Sequence, residues 1–528
     1  MKYRHLLHAA LLLTVTAFAS CANEDVAQDE NKQAQNATNA PVVTFTGERD
    51  IAQVSPTSRT AIKHALGQGA TPYWSTGDKI WVKDTNGAFK QSNAGTFNSA
   101  MTNGVFAVSG TFANGCTVHY TGSNGTAGDK VTIAAQQKQT EANDFSHAGA
   151  SGDCGVATAT GNGNSFKFKL NHKASYLCFL PRTTNAFVKR SKLTSIEVVA
   201  ESDIAGTFDF SNGSLSAQPV ANGSKKITLV TGNGFDLTNE NTSLATNGAY
   251  VVIPPGTHHL TVRYWLENMV DNPDGRIVGT VTKYIDINCE AGKIYDITAN
   301  LNPADVSGEY FMWDAKKHYW YNRESSQPKV SGASSLTVAS TTNFPKSQAD
   351  SPDSWYNSPA GGANWASNSA TQCATVNQVI WYVQKGAPHW DAAELWTLFG
   401  HLYKGGMWLK KQDVIARENH TTTQNMYASY NGIDYRQSTA TFADYTFSNN
   451  DIVKERPTKS EISDYFYLPA KGFYVEGKMQ YISYLGYYWS ATCLKADAQR
   501  AFSLTFNPSS ISLGSNFRFN GFAEDLKW

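Results

Sequence analysis

The chain has 528 residues, enough for about three domains of ordinary size, and 44 Lys and Arg balance 44 Asp and Glu. A net charge of zero excludes the global positive field on which nucleic-acid and acidic-membrane binding rely. With only 17% charged residues but 41 Gly and 12% aromatics, the composition suits an all-β protein with many turns. Lys2 and Arg4 precede an apolar run from Leu6 to Phe18, broken only by His8, Thr14 and Thr16. That run is shorter than the roughly 20 residues of a membrane span. It reads as a secretory signal covering residues 1–20.

"AFASC" then places Ala19 and Ser20 directly before Cys21, and this resembles the lipobox of bacterial lipoproteins. The resemblance implies that Cys21 is lipidated, with palmitate among its chains, and becomes the first mature residue, held at the outer membrane. Residues 21–40 are too polar to seed a core and read as a solvated acidic tether. Glu24, Asp25, Asp29 and Glu30 look like the export signal that sends Bacteroidetes lipoproteins to the cell surface.

From 41 to 303 the chain alternates in short runs between Gly, Asn and Pro breaks: "VVTFTG" (42–47), "KIWVKD" (79–84), "SFKFKLNH" (165–172), "TSIEVVAES" (194–202) and "AYVVIPPG" (249–256). Period-2 alternation predicts strands that bury one face, and Asn272-Pro273-Asp274-Gly275 is the turn of a hairpin over 260–287. A pair of all-β sandwiches is the economical reading. The order "VTFTG", "SRTAI", "YWSTGDKIWV", "FKFKLNHKASYLCFLP", "IEVVAESDIAGTFDF", "VVIPPG", "INCEAGKIYDITANL" resembles the fimbrillin-like pilus subunits of Bacteroidetes. That resemblance implies transthyretin-like sandwiches at 41–220 and 221–303, assembled into a fimbrium by strand exchange with other pilus subunits. It also implies that a protease cuts after an Arg near the mature N-terminus and frees the first strand. Arg49 and Arg59 are the two candidates.

Ten of the thirteen Trp follow residue 304, so 304–528 forms a region of different texture. In "VNQVIWYVQKGAPHWDAAELWTLFGHLYKGGMWLKKQDVI" (376–415), Asp391 has N-cap character with Glu394 three residues on. Leu395, Leu398, Phe399 and Leu402 then share a helical face, and Gly405-Gly406 stops it. A helix is predicted there. The closing series "YFYLPAKGFY … GYYWSATC … AFSLTFN … FRFNGFAEDL" resembles the C-type-lectin-like domains of bacterial surface proteins, including the repeated paralogous domain of fibrolytic gut bacteria. The whole is thus expected to be mainly β, two sandwiches followed by an α+β lectin-like domain.

Neither of the two loop motifs by which C-type lectins bind calcium and sugar occurs, so calcium has no motif behind it and no cofactor is expected. Six Cys besides Cys21 match no zinc spacing; Cys373 and Cys493 are either a disulfide pair or buried thiols. There is no HExxH, GxSxG or P-loop, and Asp391 beside His389 is explained by capping, so the chain does not read as an enzyme. Adhesion remains. Tyr319, Trp320 and Tyr321, and Tyr427 and Tyr430 in the polar loop "NMYASYNGIDYR", are the candidate ligand-binding aromatics, with core packing as the competing reading. The expected role is a tip or accessory pilus subunit at the cell surface, contacting a host or microbial glycan or a protein receptor. A stand-alone surface glycan-binding lipoprotein and a lipid-retained pilus anchor are the alternatives.

Overall fold

Short alternating runs cannot bury their apolar faces alone, and here they pair into stacked sheets, so the protein is mainly β. The structure, a computed structural model, describes residues 41–48, 62–268, 277–306, 309–328, 342–359, 364–437 and 447–525. Everything below belongs to the unit Pro41–Trp528. Cys21, Arg49 and Arg59 fall outside the described residues.

The first sandwich has two five-stranded sheets. One runs, in spatial order, Thr160–Asn162, Ser165–Lys169, Val42–Glu48, Asn103–Ser109 and Thr96–Phe97. The other runs Asn171–His172, Gly155–Thr158, Thr117–Tyr120, Trp81–Lys83 and Phe89–Gln91. Phe45, Phe106, Phe166 and Phe168 from one meet Ile80, Val82, Val118 and Tyr120 around Trp74, whose ring lies 4.8 Å from Phe106 and 5.9 Å from Tyr120.

A second core holds Leu177, Phe179, Ile196, Val198, Leu229, Val251, Leu260, Val262 and Tyr264. It lies between a three-stranded sheet (Ala249–Ile253, Ser175–Arg182, Ile294–Asn300) and a long one. The predicted hairpin is there: Gly256–Asn268 and Ile277–Cys289 stay in register from Gly256↔Cys289 to Asn268↔Ile277, while its turn falls outside the described residues. The long sheet does not stop at this hairpin. It runs Gln136–Gln139, Lys226–Asp236, Lys192–Ala200, Gly256–Asn268, Ile277–Cys289 and on into His389–Leu398, His401–Lys410 and Tyr465–Pro469.

The helix predicted at 391–402 is therefore corrected. Those residues form a hairpin whose turn is Phe399-Gly400, both at positive φ (51° and 76°), as a two-residue turn between right-twisted strands requires. An apolar run buried on both faces carries no strand periodicity, and its Leu spacing fits a helix equally well. Neighbouring strands on both sides supply the hydrogen-bond partners that decide the matter. Asp391 does cap, accepting from the amides of Ala393 and Glu394, but within a bulged strand. The helix lies upstream, at Val376–Lys385, where Thr375 and Gln378 close a capping box. It packs with Leu504, Phe506, Ile511 and Leu513 of a six-stranded sheet ordered Tyr310–Phe311, Phe522–Ala523, Gly486–Cys493, Arg500–Asn507, Ser510–Phe517 and Ser448–Asn449.

Candidate functional site

The first strand, "VVTFTGE", occupies the middle of its sheet although it comes first among the described residues. Alternation turns Val43, Phe45 and Gly47 inward and leaves Val42 in solvent. On one side the strand runs antiparallel to Asn103–Ser109, from Val42↔Ser109 to Glu48↔Asn103. On the other it runs parallel to Ser165–Lys169, from Thr44↔Ser165 to Glu48↔Lys169. Phe45 stacks on Phe166 at 5.0 Å and meets Phe112 edge-on at 5.1 Å. Gly47 has the Phe168 ring laid across it: a Cβ there would sit 2.4 Å from Phe168 Cζ. The two flanking strands are joined in the sheet only through this strand. Taking it out would bare two rows of backbone donors and acceptors over a groove floored by Phe106, Phe166 and Phe168. Burial of Val43 and Phe45 holds it in with about 1.5–3 kcal/mol each.

The second site is where the long sheet crosses into the C-terminal region. Ile277–Cys289 meets His389–Leu398 in parallel at Thr280↔Glu394. A Cβ at Gly279 would lie 2.6 Å from the Ala393 carbonyl oxygen, so only glycine lets the strands approach. An ion network is buried beside this contact. Arg456 Nη1 donates to Glu394 Oε2 at 2.7 Å and to Thr282 Oγ1 at 2.6 Å, and lies 3.3 Å from Asp391 Oδ2. Arg263 Nη2 donates to Asp391 Oδ1 and to Thr280 Oγ1, both at 3.1 Å. The Arg456 guanidinium also lies 5.0 Å from the Trp408 ring centre. Burial opposes the charge on Arg456, yet Glu394, Tyr284 and Asp391 outweigh it and raise its pKa. Above the network opens a cleft of about 710 Å³, lined by Lys225, Lys226, Arg263, Lys454, Arg456 and Lys459 against Glu197, Glu201, Asp391 and Glu455. Among its charged lining residues, cations outnumber anions six to four.

The aromatic candidates separate. Tyr319 and Trp320, expected at the surface, are each 1% exposed, which corrects that expectation: they pack with Tyr310, Tyr403 and Tyr474. Tyr474 lies over Tyr319 at 5.6 Å and edge-on to Trp320 at 5.3 Å. Tyr321 is half-buried under Lys317. Tyr430 is buried against Trp381 in another cluster, and only Tyr427 is open, 44% exposed, with the Arg436 guanidinium 4.6 Å from its ring centre. Exposed aromatics the sequence reading passed over are Trp365 (53% exposed), Tyr481, Tyr484 and Phe517. Tyr481 and Ser483 both have positive φ, a tight turn that lifts Tyr484 out of the strand pattern. The signal available for Trp365 was its setting among small polar residues, "GGANWASNSA". Of the two readings of Cys373 and Cys493, the structure has buried thiols: no disulfide joins the six described cysteines. The Cys373 thiol donates to the Glu524 carbonyl, whereas Cys493 packs among Trp313, Trp489 and Phe522.

No protein-family model matches the chain, and no curated protein matches it. Among solved structures, a candidate cell adhesion protein from Bacteroides ovatus is similar over 49% of this chain and 92% of its own, at 15% identity and a TM-score of 0.31. A fimbrial protein from the same species spans 92% of this chain and 98% of its own, at 12% identity and a TM-score of 0.23. A fimbrial assembly protein from Parabacteroides distasonis covers 49% of this chain and 90% of its own, at 10% identity and a TM-score of 0.24. At such identities and scores the likeness says nothing about what this chain binds.

Proposed function

We propose that the chain is a cell-surface pilus subunit that assembles by strand replacement and carries an adhesive C-terminal region of lectin-like kind. The observation that supports this is the first strand. It lies between two strands that only it joins, its inner face is small and regular, and Arg49 follows it directly in the chain. Cleavage after Arg49 or Arg59 would sever it, and a strand from another subunit with apolar residues at alternate positions would replace it. The descriptions of the three solved structures are of the same kind and add no weight. In this reading Cys21 carries the lipid that brings the precursor to the outer membrane, and the subunit sits at a tip or accessory position. The edge of Ile277–Cys289, where a further strand would add, is met at Thr280 by His389–Leu398.

The test is direct. The purified chain is treated with an Arg-specific protease and mixed with a labelled synthetic peptide of residues 42–48. The cleaved chain should begin at Asp50 or Thr60 and retain the peptide, whereas uncut chain should not. A cleaved chain that neither binds peptide nor associates with other subunits would overturn strand replacement. A stand-alone glycan-binding lipoprotein is the second reading, favoured by the cationic cleft at the sheet junction. It predicts that no pilus subunits co-purify from the cell surface.

A further inference from the structure

Three side chains distant in sequence converge beside the second core. His64 ends the strand Ile62–His64, the first half of a small hairpin with Ala70–Pro72. Cys178 and Asp296 are register partners across the parallel pair Ser175–Arg182 and Ile294–Asn300, so they stand side by side on one face. One ligand atom from each of the three lies within 4.8 Å of the other two. Among the described residues this is the one such group of three.

The hydrogen bonding of His64 aims Nε2 at Asp296. Its Nδ1 lies 2.8 Å from the Gly69 carbonyl oxygen, which can only accept, so Nδ1 carries the hydrogen. Its Nε2 lies 2.6 Å from Asp296 Oδ1, another acceptor, and the side chain is 1% exposed. Two facing acceptor atoms need a proton or a cation between them. An Nδ1–H donated to a backbone carbonyl is the arrangement that fixes a metal-binding imidazole with Nε2 forward. The Cys178 thiol is hydrogen-bonded to Asp296, and imidazole, carboxylate and thiolate together are the donor set of a borderline-soft ion.

We propose that His64 Nε2, Asp296 Oδ1 and Cys178 Sγ form a binding site for a divalent transition-metal ion of the zinc class, with a fourth position open to water. Bonds of about 2.0–2.3 Å from a tetrahedral ion are reached by small side-chain rotations that part His64 Nε2 from Asp296 Oδ1 and bring Cys178 Sγ in. Binding removes the proton from the Cys178 thiol and releases it to solvent. Asp296, whose side chain is 26% exposed, marks the way in. Its other oxygen accepts from the Gly67 amide at 2.9 Å and holds the hairpin loop over the site. A Cys–His–Asp nucleophile is not what these residues make. Cys178 is fully buried, its thiol pushed well up by that burial, and both ring nitrogens of His64 are engaged. The ion would clamp the first hairpin after the removable strand to the sheet of the second core. That inference stands whether or not strand replacement occurs.

The experiment uses the purified chain, reduced and stripped with a chelator, titrated with Zn²⁺ by calorimetry and with Co²⁺ by absorption. One equivalent should bind, and Co²⁺ should give the intense visible bands of a tetrahedral site with a thiolate-to-cobalt charge-transfer band. Cys178→Ser should abolish that band, and His64→Gln should weaken affinity at least tenfold. Cys289→Ser, a change at a buried thiol outside the group, should leave both unchanged. Should Cys178→Ser fail to fold, His64→Gln, on a peripheral hairpin, carries the same test. Absence of Zn²⁺ binding to the unaltered chain would mean an imidazolium–carboxylate pair and would overturn the site. So would binding that both substitutions leave intact.

Discussion

Gly47 is the position of the first strand where a side chain has no room, because the Phe168 ring covers it. Gly47→Val must push that ring aside inside a close-packed core, which costs about 1–3 kcal/mol. Urea unfolding should register this as a lowered midpoint, with Val42→Thr at the exposed end of the strand as the neutral comparison. Any strand that replaces the first one meets the same ring, so a small residue is needed at that register. His147 gives a second residue-scale outcome. Burial lowers its pKa from 6.5 to about 4; Nδ1 faces Ser151 Oγ at 2.8 Å and Nε2 is buried without a partner. The folded state thus resists a proton that the unfolded chain accepts. The stability His147 contributes is complete above about pH 6.5 and is lost as pH falls toward 4. Thermal unfolding across that window should fall less steeply in His147→Gln than in the unaltered chain. Equal slopes would show that His147 titrates normally.

At the scale of elements, the strands were legible wherever one face is wet. "VVTFTGE", "SFKFK" and the long hairpin keep period-2 alternation, and all three form as read. "WDAAELWTLFGHLYKGGMW" was not legible, because strands covered by sheet neighbours and packed on both faces lose the alternation that identifies them. The capping box at Thr375 and Gln378 lay in plain view, four residues beyond Thr371 in a polar stretch, but the Leu spacing downstream was the stronger pattern. The candidate aromatics failed for a related reason: composition tells how many aromatics a region has, and only packing tells which ones face out. The junction network gives the prediction for this scale. Arg456→Met takes the cation from half-buried Glu394 and one of two from buried Asp391, at a cost of about 3–5 kcal/mol. Urea unfolding should then separate into two transitions, the C-terminal region releasing first. Arg417→Ala removes only an exposed contact with Asp464 and should cost less than about 1 kcal/mol. A single unshifted transition in Arg456→Met would show that the network does not couple the two regions.

For the molecule as a whole, the change in texture near residue 304 was visible in the placement of Trp, yet the sheet takes no notice of it. Continuity across that point depends on Thr280 meeting Glu394, on Gly279 lacking a side chain, and on Lys404 donating to the Val278 carbonyl. None of these pairings over more than a hundred residues leaves a local signature in the chain. The central position of the first strand has a mechanical consequence. A strand at a sheet edge peels away one hydrogen bond at a time when it is pulled sideways. Val42–Glu48 is gripped along both sides, so tension along its axis loads both ladders together, in shear. Such a geometry yields only when all its bonds fail at once. A strand seated in this groove is therefore best held against load along its own axis.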